Sequence, residues 1–549
     1  MMRDFQKQGR SALITTQGAV ATSHPLAAKV GVQILEQGGN AMDAAIATAI
    51  LLGLCEPQST GLGGDLFAMV SYEGQKDIIG LNASGRAPKA LDAAALRAAG
   101  HRSIPLDNIN AVTVPGAVDG FCRLHQDHGT LPLEDILAPS IFYAEHGIPV
   151  APRVAFDWDE ARDTLRGRAR DMYMWNDQPP QIGARFTAKG QAEVLRRIAR
   201  EGRAGFYEGE VAEDLVNSLR ALGGSHSLED FATTACDYVT PISTRYRDHD
   251  LIELPPNGQG ATALLLANIL SQFDLGAMDP FGAARAHIEA EATKLAYDAR
   301  NRFISDPDHL TRLDHMLSDQ TAQALAGLID PTRAMADPHQ ASGAVHKDTV
   351  YLSVVDKNRM AVSMIYSIFH SFGSGYASDK FGILYQNRGA GFSLQEGHPN
   401  EAMGGKRPLH TIIPAFLRYP DQSLMPFGVM GGAYQATGHA RLITNIIDYG
   451  LDVQTAIDGA RSFADQGKLQ VERGYADGVI EALREMGHQV VAPVAQLGGL
   501  AQVHQRVKLV KKAQALEQGC IGGVHQAHGL AIKKRPLVAH RLLNVGQQP

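Results

Sequence analysis

The chain has 549 residues, 44% of them hydrophobic and 20% charged, with a net charge of −7. That is the composition of a soluble globular enzyme, long enough to bury a large core and hold several domains. The negative charge gives no reason to expect a nucleic-acid partner, and no run of 18 apolar residues is present to span a membrane. The opening residues, Met1 to Arg10, lack the apolar stretch of a secretory signal, so a cytoplasmic location is expected. Four widely spaced cysteines, Cys55, Cys122, Cys236 and Cys520, form no CxxC pair. They predict buried thiols rather than a disulfide framework or a metal site.

Taken in order, Gly18 to Ala27 reads as a strand leading into a helix, with Ser23 as the candidate N-cap. That helix is expected to end near Gly38-Gly39, where a left-handed cap favours glycine. A small-residue helix then runs from Asn40 to about Leu54, suited to close packing on a sheet. The glycines of Ser59-Thr60-Gly61-Leu62-Gly63-Gly64-Asp65 precede a strand through Val70 rather than opening a helix. They therefore read as tight turns beside a cleft and not as a phosphate cradle. Arg86 sits in a loop framed by Gly85 and Pro88, where it either presents a two-pronged donor to a carboxylate or caps the surface.

Residues 110–300 read mainly as helices, over 131–147, 192–202, 209–223 and 283–306, with interruptions at Thr113-Val114-Pro115-Gly116-Ala117 and at Pro255 to Gly260. Residues 330–347 are polar and bear Ala and Gly, and are expected to be mobile. From Thr349 the pattern predicts a strand, a tight turn at Lys357-Asn358-Arg359 and a returning strand from Met360 to Ser367. Taken alone, Thr349 is an ordinary strand residue. Gly428 to Ala433 leads towards a helix over 441–450. The last 49 residues carry eight Lys/Arg against Glu517 alone, a surplus of +7 in an acidic chain. This basic tail, 501–549, is expected to be the least ordered part.

Several of these stretches together resemble the γ-glutamyltranspeptidase family. They are Gly38-Gly39-Asn40-Ala41-Met42-Asp43, Thr60 to Asp65, Asp348-Thr349 followed by Ser353-Val354-Val355-Asp356, and Phe372-Gly373-Ser374-Gly375. The likeness covers roughly residues 15 to 500. It implies an α/β (α+β) fold, a four-layer αββα sandwich of the N-terminal-nucleophile hydrolase type. It also implies cleavage of the Asp348-Thr349 bond by the Thr hydroxyl. Residues 1–348 would become a large subunit and 349–549 a small one, the two forming one interlaced domain. Gly382 to Ser393 would be the next active-site strand and loop.

The chemistry implied is acyl transfer by Thr349. A free α-amine with a pKa of ~7.7–8.0 can take the hydroxyl proton, so no Ser-His-Asp triad is needed. His24, His346, His370 and His410 each lie near a motif, but sequence position alone assigns none of them a catalytic role. The resemblance makes Ser367 a hydroxyl that hydrogen-bonds the nucleophile. It makes Gly431 and Gly432 the oxyanion donors, since paired glycines let amides turn into a cleft. Where typical members hold the glutamyl group with Asn, Asp and two Ser, this chain has Phe369, Gly391, His410 and Thr411, and Ser84 replaces their Arg. A buried zwitterion without partners costs several kcal/mol, so glutathione is not the expected substrate.

Phe369 to Gly375 with Gln386-Asn387-Arg388-Gly389-Ala390 looks more like the divergent branch of oxamate amidohydrolase. The leading expectation is a small acidic amide whose carboxylate meets Arg86, Arg388 or His410. No metal or organic cofactor is called for. The expected partners are the substrate and the chain's own two subunits as a heterodimer, with further dimerisation left open. Two alternatives stand beside this reading: a γ-glutamyl transferase or glutathione hydrolase, and an unprocessed, non-catalytic paralogue acting as a binding protein.

Overall fold

Strands whose two faces are both apolar set the architecture. The computed structural model describes residues 11–335, 349–493, 496–497 and 502–503. Its two large sheets use strands β1 (Gly18–Thr22), β2 (Asp65–Ser71), β3 (Ile79–Ala83), β4 (Asp237–Val239), β5 (Ile242–Tyr246), β6 (His249–Glu253), β7 (Val350–Asp356), β8 (Ala361–Ser367), β9 (Ala415–Arg418), β10 (Leu424–Gly428) and β11 (Gln502–Val503). The first sheet has the order β1-β7-β8-β2-β3-β4 and the second β11-β10-β9-β6-β5, each antiparallel throughout.

Side chains alternate across a strand, so each strand of a buried sheet serves two cores. Leu66, Ala68, Val354, Val362 and Met364 face the helices Pro25–Glu36, Ala41–Cys55 and Ala117–His128. Phe67, Met69, Tyr351 and Ile365 face the other way, against Ile252 and Phe416 of the second sheet. The far side of that sheet, with Leu251, Leu417 and Phe427, is covered by Gly260–Leu270, Ala283–Phe303 and Gln435–Ile447. Helix, sheet, sheet, helix is the expected four-layer order. The predicted hairpin at Thr349 forms the middle of the first sheet, which is why its strands lack a polar face.

Other expectations shift locally. The first helix is capped by His24, not Ser23: Pro25 occupies the first helical position, and His24 Nδ1 accepts the Leu26 N–H at 3.2 Å. Ser23 instead donates to Glu56 Oε1 at 2.6 Å. The second helix starts where expected, with Asn40 and Asp43 closing a capping box. The helix expected over 441–450 is Gln435–Ile447, beginning and ending earlier than expected. Gly438 lies inside it because a Cβ there would come within 2.7 Å of Val429 Cγ1, so its glycine marks close packing and not a helix boundary. No strand forms over Gly382 to Ser393. Leu384 makes an isolated bridge to Ala377, and Arg388–Gly391 is a single 3-10 turn.

Of the basic tail, Gln502–Val503 is described and pairs with Phe427 and Gly428 at a sheet edge. The rest of the tail, Cys520, Asp348 and residues 336–347 of the preceding segment lie outside the described residues. Cys55, Cys122 and Cys236 are free thiols, of which Cys55 is buried as expected while Cys122 and Cys236 are half-buried; partial burial still pushes Cys122 up to about 12. Among the described residues no helix is long and apolar enough to cross a membrane.

Candidate active site

Strand register brings the candidate nucleophile and its neighbours together. Tyr366 pairs with Val350 across β7 and β8, and continuing that register one step sets Ser367 opposite Thr349. On the other side Ser367 pairs with Asp65, the first residue of β2. All three occupy alternating positions that point between the sheets. Thr349 Oγ1 lies 3.4 Å from Ser367 Oγ, and both are buried. Ser367 Oγ also accepts the Phe369 N–H at 2.9 Å. The chain passes this point tightly: a Cβ on Gly64 would sit 2.4 Å from the Ser367 carbonyl oxygen.

Arg388 completes the cluster. Its side chain is wholly buried, donating to Ser367 Oγ at 3.3 Å and to Thr411 Oγ1 at 3.0 Å. Its guanidinium carbon lies 4.1 Å from the centre of the Phe369 ring, a cation–π contact. Phe369 itself is held at φ +81°, a conformation that a bulky residue adopts at a cost of about 1–3 kcal/mol. The Arg388 Nε–H has no partner among the described residues. Burial pulls the guanidinium down to about 9, against a smaller upward pull from Asp65. No carboxylate forms an ion pair with it among the described residues. A buried cation with a free donor is an incomplete site, and an anion is what completes it.

Asp65 is the hub that sequence reasoning missed. Its Oδ1 accepts from Gly85 N at 2.7 Å, Gly116 N at 3.2 Å and Gln386 Nε2 at 2.9 Å. Its Oδ2 accepts from His410 Nε2 at 3.1 Å. Four loops are thereby fixed to one carboxylate at the start of a strand. The available signal was the acid ending the Gly-rich stretch at 59–65. His410 is fully buried, and its pKa is pushed down to about 3 by desolvation and by Arg388, against the pull of Asp65. It is a neutral imidazole positioned by Asp65, not a cation awaiting a carboxylate. Arg86 is engaged elsewhere, donating to the Gly405 carbonyl at 3.1 Å and pairing with Asp306 at 3.4 Å.

Gly431 and Gly432 adopt φ +121° and +53° just ahead of the Gln435–Ile447 helix. This left-handed turn requires glycine. Its carbonyls are anchored: Gly431 O accepts from Tyr434 N at 3.0 Å, and Gly432 O from Gln259 Nε2 at 3.0 Å. Gln259 is itself held by Arg300 at 2.9 Å and also donates to the Thr411 carbonyl at 2.7 Å. Neither glycine amide hydrogen is taken by an acceptor among the described residues. The expected residues Thr349, Ser367, Phe369, Arg388 and Thr411 thus form one connected cluster, and Gln259 ties Thr411 to the glycine turn.

Two antiparallel sheets enclosed by helices, with Thr349 entering the central hairpin, are the architecture of the N-terminal-nucleophile hydrolases. The family model of γ-glutamyltranspeptidase matches residues 27–515, and the chain belongs to that family. It is similar to the glutathione hydrolase-like YwrD proenzyme of Bacillus subtilis, 34% identical over 489 residues, covering 87% of this chain and 92% of the relative. It is 35% identical over 496 residues to the oxamate amidohydrolase proenzyme of Klebsiella pneumoniae, with the same coverage of 87% and 92%. Among solved structures, the cephalosporin acylase of Bacillus halodurans superposes with a TM-score of 0.83 at 36% identity, over 92% of this chain and 97% of that one.

Proposed function

We propose that this protein is a self-cleaving amidohydrolase in which Thr349, freed from Asp348, attacks a small amide bearing a carboxylate. Relatives across the family are named as hydrolases and acylases, several of them as proenzymes, which supports amide-bond chemistry and processing into two chains. The pieces are then 1–348 and 349–549, interlaced in one domain. The observation that carries the substrate class is the buried, incompletely bonded Arg388 beside the Thr349–Ser367 pair.

In this reading the Thr349 amine takes the hydroxyl proton and Oγ1 attacks the amide carbon. The Gly431 and Gly432 amides stabilise the oxyanion. The amine returns the proton to the leaving nitrogen, and water then resolves the acyl-enzyme. Ser367 orients Oγ1, while Arg388 holds the carboxylate over the Phe369 ring. A metal ion has no role in these steps.

Two experiments test the reading. On a denaturing gel the wild type gives two bands split at Thr349 and Thr349→Ala gives one. A single full-length band in both would favour the non-catalytic alternative. In competition, oxamate should be hydrolysed faster than a γ-glutamyl anilide. Faster glutamyl turnover would replace the acidic-amide reading with that of a glutathione hydrolase, the name that several relatives bear.

A further inference from the structure

A second cluster of ligand-type side chains lies apart from the Thr349 residues. His287 and Glu291 are four residues apart on the helix Ala283–Phe303, so they share one face. His488 follows the helix Asp477–Glu485 and faces them. All three are buried, and one ligand atom from each lies within 4.8 Å of the others. His287 Nδ1 is 2.7 Å from His488 Nε2, which in turn is 4.0 Å from Glu291 Oε1.

The surroundings orient these atoms as outer partners orient metal ligands. His287 Nε2 donates to the Asp330 carbonyl at 2.8 Å, so its Nδ1 carries no proton and presents a lone pair to the cluster. Glu291 Oε2 accepts the Met335 N–H at 2.8 Å, leaving Oε1 turned inward. We propose that His287 Nδ1, His488 Nε2 and Glu291 Oε1 bind a divalent transition-metal ion of the zinc type. Tetrahedral bonds of 2.0–2.2 Å set ligand atoms roughly 3.3 Å apart. The His287–His488 separation must therefore open by about 0.6 Å and the His488–Glu291 one close by about 0.7 Å, while the third, within 4.8 Å, closes by at most about 1.5 Å.

Binding at His488 Nε2 moves the proton it now donates to His287 onto the His488 Nδ1 by exchange with solvent, so the imidazole stays neutral as it ligates. Binding also displaces Lys294 Nζ, which now sits 2.7 Å from Glu291 Oε1 and 2.8 Å from the Met335 carbonyl oxygen. Lys294 is thus the built-in competitor. The ion's location gives it a structural task. His287 and Glu291 belong to the part of the chain before Thr349, and His488 to the part after it. The ion joins the two.

The test uses the full-length chain stripped of metal and titrated with Co(II), followed by Zn(II). Expected are a saturable visible absorption band at one Co(II) per chain, its loss as Zn(II) displaces Co(II), and a higher Tm with Zn(II). Glu291→Gln and His488→Gln should each weaken Co(II) binding by about tenfold or more, with unchanged far-ultraviolet circular dichroism. Lys294→Met should tighten it, a result that a purely structural hydrogen-bond network does not produce. The proposal is overturned if the wild type gives no saturable band, or if both ligand variants bind like the wild type.

Discussion

Replacing Arg388 by Met keeps an unbranched apolar stem and removes the guanidinium and its charge. The wild-type guanidinium is brought from 12.5 to about 9 by burial. At 1.36 kcal/mol for each tenfold change in proton affinity, holding it charged costs on the order of 5 kcal/mol. Its bonds to Ser367 and Thr411 offset part of that. The variant loses both the cost and the bonds, so its Tm should match or exceed that of the wild type. For a substrate whose carboxylate pairs with Arg388, losing one partner of a buried charged pair costs roughly 2–5 kcal/mol, about thirty-fold to several-thousand-fold in kcat/KM. The assay compares a carboxylate-bearing amide with a neutral amide of the same size, and the neutral one should change by less than about threefold on the same grounds. Equal losses on both substrates, or a clear fall in Tm, would refute the assignment.

The pH dependence follows from the same group and from two others. A depressed base binds its proton more weakly when folded, so wild-type stability gains as pH rises through about 9, and Arg388→Met lacks that gain. Activity on the acidic amide should rise as the Thr349 amine loses its proton near ~8 and fall as Arg388 discharges at about 9. His410 gives an acid limb. Its pKa is about 3 when folded and 6.5 as a free side chain, so the unfolded state binds the extra proton between them and stability falls as pH drops through that window. His410→Asn should flatten this limb in urea titrations at pH 4–7. Ser367→Ala removes the hydroxyl beside Thr349 Oγ1 and should lower kcat by about a hundredfold with a smaller change in KM, read by steady-state kinetics.

What the sequence made legible was local. The hairpin from Thr349 and the small-residue helix opening at Asn40 follow from patterns within about twenty residues. The partnership of Thr349 with Ser367 was implied by the family resemblance, and the hairpin register accounts for it. Tertiary pairing was the part not legible. Whether Arg86 meets a ligand or the chain's own carboxylate depends on Asp306, 220 residues away. Whether His410 is a charged anchor depends on Asp65, 345 residues away. Neither distance leaves a periodic signal. The His24 cap was obscured for another reason: Ser23 is the better intrinsic cap, but Pro25 can occupy only the first helical position and so moves the cap by one residue.

The strand order has a mechanical consequence. In the first sheet β7 and β8 lie between β1 and β2, held by ladders of five residue pairs on one side and seven on the other. In the second, β9 is zipped to β6 by four more. A break in the backbone before Thr349 therefore releases an end but no strand. Pulling the pieces apart would require tearing both sheets down the middle, which amounts to unfolding. The cut protein should withstand unlimited dilution as one particle, and its two fragments, made separately, should have no stable fold until they meet.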